Sequence, residues 1–511
     1  MNTIEREKLR NRKRRIAYRL RERRWSPQDR PMLRARNIQY ELADRARGLV
    51  PGGIGAMHLL ARQTGLIEAI DRNLKVLKVH LPYHESDHVL NFAYNAVCNG
   101  TCIEDMELRR NDEVYLDALG AQRIPDPTTA GDFCRRFSEM DVEVLLEAIN
   151  EVRVSVWGEQ PEAFFEEAFV EADGVMVTTT GQCKQGMDIS YKGEWGYEAL
   201  VVSLANTAEP LYVVNRSGNR PSHEGAAAYF DRAGALCDRA GFKQVSFRGD
   251  TDFSQTRHLD RWDGQGRRFY FGIDAMRNLV EKAEFQGTSP WKGLERPAKY
   301  AVRTQERKRP ENVKEQVVRE REFKNIRLVS EDVAEFPYRP VACEKTYRVV
   351  VVRKNLSVER GELVLFDDIR YFFYITNDRE RSAEEIVFLA NDRCNQENLL
   401  AQLKSGVRAL QAPVDNLVSN WAYMVMTSVA WTLKSWFALR LPEQGRWAAK
   451  HRSEKESVLR MEFKKFVNAF ILVPCQIVRG ARRIVYRLLA WNPWQHVFLR
   501  AVEAIRRPLR C

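Results

Sequence analysis

Histidine is scarce, eight in 511 residues, and the nine cysteines never form two close pairs. Only Cys98 and Cys102 are near neighbours, with no histidine cluster at zinc-ligand spacing, so a zinc site is not expected. An odd number of scattered thiols suits a reducing compartment rather than a disulfide framework. Long hydrophobic runs are missing too. The longest uncharged apolar stretch near the C-terminus, Trp421 to Leu433, is closed by Lys434 and falls short of the roughly 18–20 residues that span a bilayer. The arginine-rich N-terminus has no apolar h-region and carries Glu5, Glu7 and Glu22, which argues against a targeting peptide. No internal repeat or low-complexity tract is evident. A cytoplasmic chain with no membrane partner is expected. Hydrophobic residues make up 44%, enough for more than one core, which excludes a wholly disordered protein.

Charge is present in quantity and is unevenly placed. The formal net charge is +12. Residues 1–38 hold 14 Lys/Arg against 4 acids, and residues 446–511 hold 15 against 4, so the stretch between them is net acidic. Basic ends around an acidic centre predict polyanion-binding arms flanking a core of clustered carboxylates. The C-terminal arm interleaves Arg482, Arg483, Arg487 and Arg500 with Tyr486, Trp491 and Trp494, a mixture that offers both charge and stacking to nucleic acid. A plain solvated basic helix is the competing reading of each arm.

Apolar spacing divides the chain further. After a basic arm over 1–50, broken by Pro51-Gly52-Gly53, residues 51–160 read as helices with a period near 3.6. Within them, Thr129 is placed to cap a helix carrying Arg135 and Arg136, the second helix of a helix-turn-helix or else of an ordinary helical hairpin. From about 165 the texture turns to valine-rich strands at 168–180, 197–206 and 211–215. A helix over 222–240 follows, then strands at 243–253 and 268–273. Residues 275–365 interrupt this α/β pattern. They begin with a basic approach segment, 12 Lys/Arg against 6 acids over 291–330, and continue with strand-like runs at 346–352 and 362–366. Another strand is read at 371–375, and the chain then reads as helical from Ser382 to about Leu439, opened by a capping box at Ser382-Ala383-Glu384-Glu385. Residues 366–445 complete the α/β core, and 446–511 are read as a basic helical region.

Three acids stand out. Asp173 lies inside the first apolar strand and Asp250 ends the fourth, in Arg248-Gly249-Asp250-Thr251-Asp252-Phe253. A carboxylate buried in a strand is costly unless paired, and strand ends of open α/β sheets are where sites form. Each aspartate alone also fits a salt bridge or a turn cap. On the helix after Ser382, an unbroken 100° per residue places Arg393, Glu397 and Lys404 on one narrow face, which an exposed ion-pair face would also explain. Asp252, His223, Trp421, Tyr423 and the basic run 299–309 are secondary candidates, each with an ordinary turn, cap, core or solvated reading.

Several segments together carry a family resemblance: IEDMEL at 103–108, IPDPTTAGDFCRRF at 124–137, NRPSHEGAA at 219–227, RGDTDF at 248–253, NDRCNQENLLAQLK at 391–404 and LVSNWAYMVM at 417–426. In this order the chain resembles the insertion-sequence 1380 family of bacterial DDE transposases. Arg393, Glu397 and Lys404 match three positions of that superfamily's Tyr-x2-Arg-x3-Glu-x6-Lys signature, while its tyrosine position is Ala390 here. The resemblance implies an RNase H-like catalytic core interrupted by a β-rich insertion, with a helical N-terminal domain and a helical basic C-terminal region. It implies Asp173, Asp250 and Glu397 as a catalytic and metal-holding triad for two Mg²⁺ ions, Mn²⁺ substituting. Hard carboxylate oxygens suit such ions, and divalent charge relieves the repulsion of three clustered acids. Arg393, Lys404, Arg135 and Arg136 are the expected DNA contacts. Terminal inverted repeats and target DNA are the expected partners, in a homodimer or larger synaptic complex associated with the nucleoid. A nuclease of the same fold without strand transfer, or an inactive DNA-binding descendant, are the alternatives.

Overall fold

The computed structural model describes residues 3–21, 39, 47–80, 82–285, 290–296, 313–360, 363–392, 394–480 and 483–509. Valine-rich and aromatic segments form a ten-stranded sheet. Its main strands are β1 (Glu167–Thr178), β2 (Trp195–Leu204), β3 (Glu209–Ser217), β4 (Gln244–Gly249), β5 (Arg268–Ile273), β6 (Lys324–Tyr338), β7 (Tyr347–Arg360) and β8 (Leu363–Thr376). The first three form an antiparallel meander, β3 on β2 and β2 on β1; β4 then pairs parallel with β1, and β5 parallel with β4. On the far side β8, β7 and β6 follow antiparallel in turn, and two-residue strands at Asp188–Ile189 and Lys292–Gly293 complete the set. The strands read at 346–352, 362–366 and 371–375 are thus parts of two long strands, β7 and β8. They continue the core sheet directly. Strand β6 lies partly in the segment read only as a basic approach. Its outer half, Lys324–Ser330, alternates lysine, arginine and asparagine with exposed Ile326 and Leu328, a pattern that burial in a core would not produce.

Helices cover the sheet. The 51–160 region is helical as read, ending in Glu139–Trp157, which Ser138 and Asp141 open with a reciprocal capping box. One helix cap differs from expectation. Asp126, not Thr129, caps Pro127–Arg135, accepting from the Thr129 amide at 2.8 Å, with Pro127 in the first turn where its missing N–H costs nothing.

The helical stretch from Ser382 is broken twice. Ala383–Asn391 is capped by Ser382 and Glu385 as expected, and Cys394–Ala401 is a separate helix running into one π turn over Gln402–Gly406. Arg408 then takes a φ of 60° and residues 408–416 form a loop before Leu417–Leu439. That last helix is the central one: its residues from Ser419 to Leu439 are all buried. Its tryptophans staple it to the β3 region, Trp421 donating to the Val213 carbonyl at 2.5 Å and Trp431 to the Ala208 carbonyl at 2.7 Å. Tyr423 donates to the Arg408 carbonyl and meets Phe92 edge-on, so Trp421 and Tyr423 are core residues.

The C-terminal region is not purely helical. Cys475–Gly480 (β9) and Arg483–Leu488 (β10) form a hairpin, which Gly48–Leu49 joins as a third strand. Alternating Ile477, Ile484 and Tyr486 favour strand over helix here, because β-branched and aromatic side chains pack well on a pleated surface. Two of the interleaved aromatics of this arm are structural: Tyr486 donates to the Ala118 carbonyl at 2.7 Å and Trp494 packs on Phe470. One hydrophobic cluster runs from Leu49 through the sheet to Ile505, and a smaller one lies under the Ala383–Asn391 helix.

Candidate active site

Strand register places the first two acids. The parallel pairing of β1 with β4 runs as far as Glu171 opposite Arg248. Two residues further along each strand are Asp173 and Asp250, at the same end of the sheet. Residues two apart share a face, so Asp173 lies on the face of Glu171. That face is anchored by a buried ion pair, Arg248 to Glu171 at 2.6 Å, with both side chains under 5% exposed. Arg248 also donates to the Leu389 carbonyl at 3.0 Å and lies over the Phe169 ring. The helix Ala383–Asn391 is therefore held against the acidic face of β1.

The next helix crosses the same face. Gln396 is buried; it donates to the Val201 carbonyl at 3.0 Å and accepts from the Ser203 hydroxyl. Val201 is the register partner of Asp173, and Ser203 that of Glu171. Glu397 is exposed and adjoins Gln396 in the first turn of this helix. Lys404 reaches back to donate to the Met176 carbonyl of β1 at 3.1 Å. Glu397 and Lys404 do not keep the single narrow face expected of them, since the helix passes into the π turn before Lys404. Lys404 nonetheless meets the strand that carries Asp173. Arg393 lies outside the described residues, as does the basic run 299–309.

Asp250 caps the turn that follows β4, accepting from the Asp252 amide at 3.0 Å, while an Asp173 oxygen accepts from the Gly174 amide at 2.8 Å. The donor chemistry is that of hard oxygen ligands on two neighbouring strand ends and a crossing helix, which fits Mg²⁺ or Mn²⁺ in kind. Among the described residues, however, no group of three or more His, Cys, Asp or Glu stands close enough together to hold an ion.

A fourth acid escaped the sequence reading. Glu198 of β2 is buried beside Gly174 and Ser222; a Cβ added at Gly174 would come within 2.4 Å of the Glu198 carboxylate. Burial pushes Glu198 up to about 7, Arg216 pulling against the rise and Asp173 adding to it. A lone acid in the otherwise uncharged strand WGYEALVVSL was the available signal. Arg216 in turn donates to the carbonyls of Pro221, Ser222 and Glu224, and Gln255 to that of His223, tying the 217–225 loop to this end of the sheet. His223 does not cap the following helix, whose N-cap is Gly225.

Of the two arginines expected to bind DNA on the Pro127–Arg135 helix, Arg135 is engaged within the protein. It pairs with Asp132 and, at 3.1 Å, with Asp415 in the loop after Lys404. Arg136 is the exposed C-cap.

The mount of the Ala383–Asn391 helix carries a pH dependence. Burial raises the Asp378 carboxyl, but the Tyr270 hydroxyl, the Glu380 and Arg381 amides and the Arg381 guanidinium outweigh it and hold Asp378 down to about 2. Arg381 also pairs with Glu167 of β1. A carboxyl depressed on folding stabilises the fold above its ordinary value of about 3.9 and loses that contribution as pH falls through the folded value. The stability difference between the native chain and Asp378→Asn is therefore expected to shrink from pH 4 toward pH 2. Thermal melts across that range check it, and a difference independent of pH refutes it.

The family model described as Transposase DDE domain group 1 matches residues 50–509. No curated protein sequence matches the chain. Among solved structures, one of the piggyBac transposase synaptic complex with hairpin DNA is similar at 11% identity and a TM-score of 0.37, over 83% of this chain and 81% of that one. Among the described residues, no helix is long and apolar enough to cross a membrane.

Proposed function

The chain belongs to the DDE transposases of domain group 1, and from that premise we propose that it cleaves the ends of a bacterial insertion sequence and joins them to target DNA, with Asp173, Asp250 and Glu397 as its three acids. The observation that supports this is the shared sheet end of two of these acids and the docking of the helix that bears the third. Asp173 and Asp250 sit at neighbouring parallel strand ends, and the helix bearing Glu397 is bonded through Gln396 to the strand position directly opposite Asp173. The order of the strands, β3-β2-β1-β4-β5 with the last two parallel to β1, supports an RNase H-like core, extended at its edge by β6 to β8.

Two divalent ions held by these carboxylates would activate a water or a DNA 3′-hydroxyl and stabilise the leaving oxygen. The protein's share is placement. The buried Glu171–Arg248 pair fixes β1, β4 and the helix over them. Gln396 sets the approach of Glu397. Lys404 presents a cation beside the same strand, where it meets a phosphate as a point charge. The basic arms and the 51–160 helices are the parts that grip terminal inverted repeats, and two such ends call for a dimer or larger complex.

Two measurements test this reading. Incubation of the full chain with a DNA end carrying its native flank is expected to give Mg²⁺-dependent cleavage, and pre-cleaved ends are expected to be joined to a target plasmid. Cleavage without joining would reduce the activity to that of a nuclease. For Lys404→Ala, weaker binding of the DNA end is expected, with the slope of log K against log salt reduced by about 0.9, one phosphate contact. An unchanged slope would leave Lys404 as a clasp on β1 alone.

A further inference from the structure

Beyond Asp173, β1 runs past the Lys404 contact at Met176 into Thr178, Thr179 and Thr180, which with Gln182, Met187, Glu194 and Trp195 line an open cleft of about 810 Å³. Beside it stands a short hairpin, Ile189 paired with Trp195, closed by a turn in which the Gly193 amide bonds to the Ser190 carbonyl and Gly193 takes a φ of +81°. Three large apolar side chains of this hairpin face solvent: Ile189, Tyr191 at 93% exposed and Trp195 at 52%. Lys192 lies over the Tyr191 ring at 5.3 Å. The hairpin is held firmly. Gly196 packs so closely on β1 that an added Cβ would strike the Val177 carbonyl at 2.1 Å, and Tyr197 donates to the Gln185 carbonyl at 2.8 Å.

Exposed aromatics on a rigid mount are unfavourable in water, and a chain keeps them for a partner with a flat face. Five residues of strand separate Asp173 from Thr178, about 17 Å at the usual rise, or roughly five base steps of a DNA strand at about 3.4 Å each. A DNA strand that continues from the site along β1 would reach the cleft. The chemistry of the lining selects which part of it enters. Glu194 repels phosphate, whereas three threonine hydroxyls and the Gln182 amide both donate and accept, as base edges require.

We propose that the cleft and its hairpin hold unpaired nucleotides of the DNA strand leading from the cleavage site, their bases stacked on Trp195 and Tyr191. This rests on the reading of Asp173 and Asp250 as a DNA-cleaving site. Stacking tolerates any base, since every base has a π face, and is worth about 1–3 kcal/mol per base; one lost stacking partner therefore weakens binding roughly 5- to 150-fold.

The experiment uses the full chain and two fluorescent probes, a twenty-nucleotide oligo-dT strand and a mixed-sequence duplex of equal length, read by anisotropy. Trp195→Ala is expected to weaken the single strand at least fivefold and the duplex less than twofold, Trp195→Phe to restore single-strand binding, and 5-iodouracil in the oligo-dT to crosslink within residues 187–195. An equal effect on both probes, no effect, no rescue by phenylalanine, or crosslinks confined elsewhere would each overturn the proposal. The same preparations are assayed for DNA-end cleavage. Cleavage that persists without any Trp195 effect sinks only this inference, while Trp195-dependent binding in a chain that never cleaves sinks the assignment of the acids.

Discussion

Asp173→Asn, Asp250→Asn and Glu397→Gln are each expected to lower strand cleavage a thousandfold or more while leaving DNA-end binding within about twofold. Each change keeps side-chain size and removes one anionic oxygen ligand. A bound divalent ion supplies several kcal/mol of charge stabilisation in the transition state, and about 4 kcal/mol of that corresponds to a factor of a thousand. Binding is expected to be spared because, on the proposed reading, the basic arms, far from these acids in sequence, supply the contacts that release counterions. Asp250→Asn keeps the oxygen that accepts from the Asp252 amide, so the turn after β4 stays formed and a lost activity cannot be charged to misfolding. Electrophoretic mobility shifts and cleavage of a labelled DNA end, run in Mg²⁺ on the same samples, make the check. Normal cleavage by any one variant removes that residue from the site, and Glu198→Gln on the same gel asks whether the fourth acid belongs to it.

The second large effect concerns stability. Glu209 of β3 is fully buried and takes three charged or indole donors: Arg153 at 3.1 Å, Trp157 at 2.9 Å and Trp436 at 2.9 Å. Arg153, also buried, donates onward to the Pro210 carbonyl. This carboxylate joins the Glu139–Trp157 helix, the central Leu417–Leu439 helix and the meander of the sheet. Glu209→Ala strands a guanidinium and two indole N–H groups away from water, for which a loss of about 3–5 kcal/mol is expected. Urea unfolding followed by circular dichroism measures it. The double change Arg153→Met with Glu209→Leu is expected to recover much of the loss, because it leaves no unpaired charge. A Glu209→Ala protein as stable as the native one would show that water reaches the site and that the network holds nothing together.

How the residues themselves announced this arrangement differs from element to element. Strand β5 is read at 268–273 and found at Arg268–Ile273, since a run of aromatics between a glycine turn and Asp274 leaves little freedom at either end. The Ser382 capping box is likewise local, a matter of four residues. Strand β6 was missed because its outer half has no buried face and sits in a run weighed only for its charge, so its alternating Ile326 and Leu328 did not read as a strand. The β9–β10 hairpin was read as helix because its arginines were weighed as a charge pattern, whereas its pairing with Gly48–Leu49, over four hundred residues away, is settled by contact alone.

Composition and local pattern by themselves determined the order of helices and strands in the core, the basic ends, the three acids as candidates and, through ordered motifs, the kinship to DDE transposases. They could do so because periodicity, capping and turn chemistry act over a few residues. Only the tertiary structure decided that Asp173 and Asp250 share one end of the sheet, that Gln396 docks the helix bearing Glu397 on the strand beside β1, that Glu198 is buried against Gly174, and that Arg135 is bound to Asp415. Those facts depend on strand register and on helix packing between segments hundreds of residues apart, and such contacts are fixed by the burial of whole surfaces rather than by any short stretch of chain.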